Sequence, residues 1–82
     1  MNEPLAVEAR FMEDGSIRPT AFIWRDKRHV VRAWGRSWLE EDERRFLVMI
    51  AGERVYELAF LPAEAAWRMK RTPREFGGQA IV

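Results

Sequence analysis

Few side chains in this sequence have the type and spacing to do chemistry. His29 is the only histidine, Ser16 and Ser37 are the only serines, and cysteine is absent. A serine nucleophile needs an imidazole beside it and a sharp turn that presents its hydroxyl, and no nucleophile-elbow motif surrounds either serine. The lack of cysteine removes disulfides, thiolate zinc sites and a cysteine nucleophile. The acidic run Glu40-Glu41-Asp42-Glu43 lacks the alternating ligand positions and the central glycine of a calcium loop. It reads as a solvated connection, with Arg44 and Arg45 or a basic partner as its counter-charges. Gly77-Gly78 has no strand–loop–helix context around it, so it does not read as a phosphate loop. The chain is therefore expected to act by binding rather than catalysis, with no metal and no cofactor.

One constellation does suggest binding. If residues 28–38 form a regular strand, Arg28, Val30, Arg32, Trp34, Arg36 and Trp38 share a face, because side chains alternate with a period of two. Arginines then alternate with tryptophans. Guanidinium groups hold phosphates while bases stack on indoles, each stacked base contributing roughly 1–3 kcal/mol. The expected site is Arg28, Arg32, Trp34, Arg36 and Trp38, and the expected partner is single-stranded nucleic acid or a nucleic-acid-associated protein. Two other uses of the same residues stand beside this one. Trp34 and Trp38 can be core residues flanked by arginine stems with their heads in water, and a bulge at Gly35 would break the alternation. Tryptophan and arginine are also favoured where proteins meet, so a protein-interaction or homodimer surface is the alternative.

The chain that must position these residues has 82 residues, room for one domain with one core. A hydrophobic share of 48% is that of a globular chain rather than a disordered one. With no disulfide or thiolate staple, four tryptophans and five phenylalanines must supply much of the core. The formal net charge of +1, from 14 basic and 13 acidic residues, gives no global pull toward nucleic acid. Lys27 and Lys70 are the only lysines among those basic residues, so arginine dominates. That balance suits forked contacts to phosphate and carboxylate; it equally fits a GC-rich genome or a heat-adapted chain. The first residues carry Glu3 and Pro4 with no basic start, and no run approaches the roughly 20 apolar residues that cross a bilayer. The expected location is the cytoplasm, with no membrane partner.

Along the chain, Leu5, Val7, Ala9 and Phe11 alternate with polar or small residues and read as a half-buried strand. Glu13-Asp14-Gly15-Ser16 follows as a turn, and Thr20–Trp24 as a β-branched and aromatic strand. Arg25–Arg28 is a polar hairpin connection. His29–Leu39 reads as a strand interrupted at Gly35; its Val30, Val31, Trp34 and Trp38 also fit helical spacing, but β-branched and aromatic residues dominate and neither end is capped. The acidic residues 40–43 connect it to Arg44–Ala51, whose continuous apolar centre suits a central strand. Ala51-Gly52-Glu53 turns the chain into a strand over Arg54–Leu61. Residues 62–71 carry two readings: a short helix begun by Pro62, or a turn through 62–65 and a closing strand Ala66–Arg71. The domain is expected to span 1–73, with 74–82 as a flexible tail. The predicted fold is mainly β: one small antiparallel meander of five or six strands, curled into a half-barrel or small barrel, centred on the pair 28–39 and 44–51.

With these segments placed, a resemblance emerges. The order Pro19, Phe22-Ile23-Trp24-Arg25, Arg28-His29-Val30-Val31, Trp34 through Trp38, Arg44-Arg45-Phe46-Leu47-Val48, Tyr56-Glu57-Leu58 and Trp67-Arg68-Met69 resembles a family of small bacterial β domains of unknown function. Some of these occur with accessory proteins of translesion-type DNA polymerases. The likeness covers about residues 17–71. It implies that 66–71 is a strand, and it brings no catalytic residues.

Overall fold

The computed structural model describes residues 1–76. It contains seven strands: β1 (Glu3–Phe11), β2 (Ile17–Trp24), β3 (Lys27–Val30), β4 (Ala33–Glu40), β5 (Glu43–Ile50), β6 (Arg54–Leu61) and β7 (Ala66–Arg71), followed by a single 3-10 turn, Pro73–Phe76. All pair antiparallel, in the order β3-β2-β1-β7-β6-β5-β4. β3 and β4 are consecutive in the chain, two residues apart, yet lie at opposite ends of that order. The sheet must therefore curl until its two edges nearly meet, and the result is a half-barrel. Register shifts between Glu8 and Ala9, Trp34 and Ser37, and Glu57 and Leu58 supply local bends.

The mainly β, antiparallel, half-barrel expectation holds at this level, with seven strands in place of five or six. The extra strand comes from the single stretch expected over 29–39, which is two strands. The amide of Val31 donates to the carbonyl of Thr20 on β2 at 2.9 Å, and that of Arg32 to Met49 on β5 at 2.7 Å. At Val31-Arg32 the chain thus leaves one wing of the sheet and joins the other. Only Arg25-Asp26 and Glu41-Asp42 form the tips of their hairpins, since Trp24 already pairs with Lys27 and Glu40 with Glu43. Both dipeptides have positive φ at each residue, from 50° to 67°, as a tight two-residue hairpin requires. Residues 62–71 contain no helix. They form a four-residue turn and β7, which pairs with both β6 and β1; two sheet neighbours outweigh the local helix propensity of the alanine-rich turn.

Period-two alternation sends Val7, Phe22, Val48, Tyr56, Leu58 and Met69 into the interior of the half-barrel. A second, smaller cluster sits on the outer face, where Phe76 packs on Leu47 and Val55 with Trp38 and Met49 at its rim. The boundary expected at residue 73 therefore falls inside the closing 3-10 turn, whose Phe76 is buried. Gly77-Gly78 and the remainder of the expected tail lie outside the described residues. Beside the outer cluster, Glu57 is 3% exposed and accepts from Arg45 Nη1 at 2.6 Å and Arg71 Nε at 2.7 Å. The Arg71 guanidinium also lies 4.2 Å above the Phe76 ring, which ties the end of the described chain to the barrel wall.

Candidate functional site

The five residues expected to share one face are dispersed. Arg28 on β3 makes a two-pronged ion pair with Glu8, both contacts at 2.7 Å. The partnership raises the pKa of Arg28, chiefly through this hydrogen bond, and lowers that of Glu8. Arg32 lies in the crossing link and is exposed. Trp34 pairs with the inward-facing Val48 across β4 and β5, whereas Trp38 pairs with Arg45, whose side chain reaches the outer-face carboxylate of Glu57. The shift spanning Gly35-Arg36 thus puts the two indoles on opposite faces of the sheet, as the bulge alternative required. The regular strand through 28–38 is corrected accordingly: it is broken at 31–32 and bulged at 35–36.

Arginine–aromatic pairing nonetheless occurs within the chain. Arg18 lies 4.6 Å above the Trp34 ring, Arg25 4.7 Å above Trp24 and Arg36 5.1 Å above Trp38. Trp34 also helps to close the sheet, because its Nε1 donates to the Pro19 carbonyl at 2.7 Å. The first half of β2 has no β3 partner, because β3 pairs only from Ala21 onward. The indole bridges from β4 to that free edge, and Pro19 has no N–H to offer a further strand. Farther along the same seam, Ser16 and Ser37 line one cleft of 190 Å³ with Arg44 and Arg45. Ser16 Oγ donates to Asp14 at 2.7 Å, and His29 is not among the lining residues.

His29 sits at the other end of the half-barrel, stacked 5.3 Å from Phe22 and 6.1 Å from Tyr56. Its pKa is pushed below the ordinary imidazole value, first by burial and then by the positive charges of Arg54 and Lys27; a backbone hydrogen bond at Trp24 works the other way. This end gathers the tip Arg25-Asp26, the turn Ala51-Gly52-Glu53 and the Thr72–Phe76 segment. A hollow of 640 Å³ opens here, with Trp24, Arg25, Arg54, Tyr56 and Arg74 on its walls. A narrower groove of 230 Å³ adjoins it at Arg54 and carries Arg28, His29 and Arg32. Arg25, Arg32, Arg54 and Arg74 have no carboxylate partner among the described residues. Glu75 is the one carboxylate on either wall among the described residues. It is occupied by the amide and hydroxyl of Thr72, at 2.8 and 3.1 Å, which hold its pKa low. The turns at the opposite end carry Glu13, Asp14, Glu41, Asp42 and Glu64 and no basic residue.

No group of three or more potential metal ligands occurs among the described residues, and no helix of the described chain is long and apolar enough to cross a membrane. Comparison with family models, curated proteins and solved structures finds no match.

Of the residues read from the sequence as a site, Arg28 and Arg32 reach the basic end. Trp24, Arg25, His29, Arg54, Tyr56 and Arg74 were not included. They come from four separate segments, so no local spacing joins them. The usable signals were the adjacency of Trp24 and Arg25 and the placing of Arg54 directly after a glycine turn.

Proposed function

We propose that this protein is a non-enzymatic binding domain for single-stranded nucleic acid, which it engages at the basic, aromatic end of the half-barrel. The observation that carries the reading is the 640 Å³ hollow in which Arg25, Arg54 and Arg74, without a carboxylate partner among the described residues, surround Trp24. Guanidinium groups take the backbone phosphates there, and the Trp24 indole with its stacked Arg25 provides planes for bases. The hollow falls within the size range of small-ligand pockets, about 300–1,000 Å³, so it accommodates a nucleotide unit. The acidic turns at the far end repel the same polyanion and favour one approach direction. Titration of the protein with a single-stranded oligonucleotide, followed by tryptophan fluorescence, tests this. Binding that weakens steeply as salt rises, and that falls at least tenfold in Arg54→Glu, is expected. No binding at low salt contradicts the reading.

A second reading, self-association, draws on β4. Its outer edge has no strand partner among the described residues, and Leu39 on it is 74% exposed. A free edge of this kind pairs readily with another chain. Sedimentation over a concentration series separates the two readings: a strict monomer that binds the oligonucleotide leaves only the first.

A further inference from the structure

The two hollows that meet at Arg54 differ in chemistry, and the difference specifies which part of a nucleotide each would hold. This inference rests on the nucleic-acid reading. The larger hollow has an indole, a phenol-bearing ring and a stacked guanidinium on its walls, surfaces that suit a flat base. The 230 Å³ groove between the end of β3 and the end of β5 is smaller and carries no aromatic ring besides His29; it is lined by Arg28, Arg32 and Arg54, and by no carboxylate among the described residues. Arg28 is already neutralised by Glu8. Arg32 and Arg54 remain as two guanidinium groups without a carboxylate partner among the described residues. The imidazole beside them is held in its neutral form, so it adds a hydrogen-bonding group without a third full charge.

Two guanidinium groups without a carboxylate partner beside one small groove favour a compact dianion over a singly charged one. An internal phosphodiester carries one negative charge, whereas a phosphate monoester carries about 1.5 to 2 at neutral pH. A terminal phosphate can also enter a small groove end-on, while an internal phosphate must bring both flanking sugars with it. Arginine is suited to such a ligand because its planar fork meets two phosphate oxygens at once. We propose that the groove of Arg32, Arg54 and His29 is a terminal-phosphate subsite, and that the domain recognises a nucleotide bearing a phosphate monoester, with the base in the Trp24 hollow. The monoester can come from the phosphorylated end of a strand or from a free nucleoside monophosphate.

The test compares five ligands on the intact protein at one salt concentration: an oligothymidylate with a 5′-hydroxyl, the same strand with a 5′-phosphate, the same strand with a 3′-phosphate, thymidine monophosphate and thymidine. We expect at least one phosphorylated strand to bind about tenfold more tightly than the hydroxyl strand. Arg32→Gln should abolish that preference while leaving affinity for the hydroxyl strand within about twofold. Measurable binding of the monophosphate, with none of the nucleoside, would identify the free nucleotide as a source. Equal affinity for all three strands overturns the terminal-phosphate inference and leaves the nucleic-acid reading standing. Failure of every strand to bind overturns both. Because Arg32 is exposed and its side chain makes no hydrogen bond among the described residues, its substitution leaves the fold intact, and an unchanged thermal midpoint of Arg32→Gln checks this.

Discussion

The indole nitrogen of Trp34 donates a 2.7 Å hydrogen bond to the carbonyl of Pro19, and that bond bridges the open seam of the half-barrel. It assigns Trp34 to closure of the sheet rather than to a ligand-binding face. Replacing Trp34 by phenylalanine keeps an aromatic ring but removes the donor, leaving a partly buried carbonyl without its partner. A loss of about 1 kcal/mol in stability is expected from denaturant unfolding, with oligonucleotide affinity unchanged. A large loss of affinity with stability preserved would return Trp34 to the binding surface.

The carboxylate of Glu57 is bridged by Arg45 and Arg71 on the outer face. Glu57→Gln leaves the well-buried Arg45 guanidinium short of its closest counter-charge and removes the anchor of Arg71 above Phe76. We expect a cost of about 3 kcal/mol, toward the lower end for a broken buried pair, because Glu43 and Glu40 still face Arg45. Thermal or urea unfolding checks the value. The pair of Arg68 and the exposed Glu64 provides the contrast, held by one long contact of 3.4 Å; Glu64→Gln should cost less than about 0.5 kcal/mol.

The pKa of His29 lies below its ordinary value of about 6.5, chiefly through burial. In this interval the unfolded chain binds more protons than the folded one, so stability rises with pH. The expected outcome is a loss of stability as pH falls through about 6.5, complete below the folded pKa, followed by a separate loss in acid. The acid loss arises from Glu8, Asp14, Glu43 and Glu75, whose lowered pKa values mean that their folded-state contributions disappear as pH falls through and below the ordinary carboxylate range. For Glu43, burial works against ionisation, but Arg45 and Lys70 prevail. Unfolding of His29→Gln from about pH 3 to about pH 8 should lack the first step and keep the second.

These features were unequally legible in the sequence. The strand at 5–11 shows because one face is half-buried and the other exposed, which writes a period of two into the residue types; the strand at 54–61 is buried on both faces and shows by its run of β-branched and aromatic residues. The turns at Gly15 and Gly52 show because each needs a positive φ, 88° and 81°. The division of 29–39 into two strands did not show. Residues 28–38 keep an apparent alternation, while the break at Val31-Arg32 is set by hydrogen bonds to Thr20 and Met49, partners fixed only when the sheet curls. The basic end was hidden for the same reason: Trp24, Arg54 and Arg74 are brought together by β2, β6 and the last turn. What the sequence did reveal was the type of contact, arginine beside tryptophan, though with different pairs.

Arg25 and Asp26 have φ values of 53° and 64° in their hairpin tip, a conformation that Asn-Gly adopts with less strain. Arg25 also lines the hollow. The double substitution Arg25→Asn, Asp26→Gly should therefore stabilise the protein by about 1 kcal/mol while weakening oligonucleotide binding several-fold. The tip at Glu41-Asp42 has the same geometry at the acidic end. Its Asn-Gly replacement should stabilise comparably and leave binding at least as tight. Equal binding in both variants would remove Arg25 from the site.

Where a single strand lands on the half-barrel decides between the basic end and every other surface. Amide and indole NMR shifts recorded during titration with a short oligothymidylate at low salt locate it directly. Saturable shifts are expected at the Trp24 indole and at the amides of Arg25, His29, Arg54 and Arg74, with none beyond noise at the Trp38 indole or in the turns at residues 13–14 and 41–42. Shifts confined to Trp34–Trp38, or none at saturating oligonucleotide, would contradict binding at the basic end.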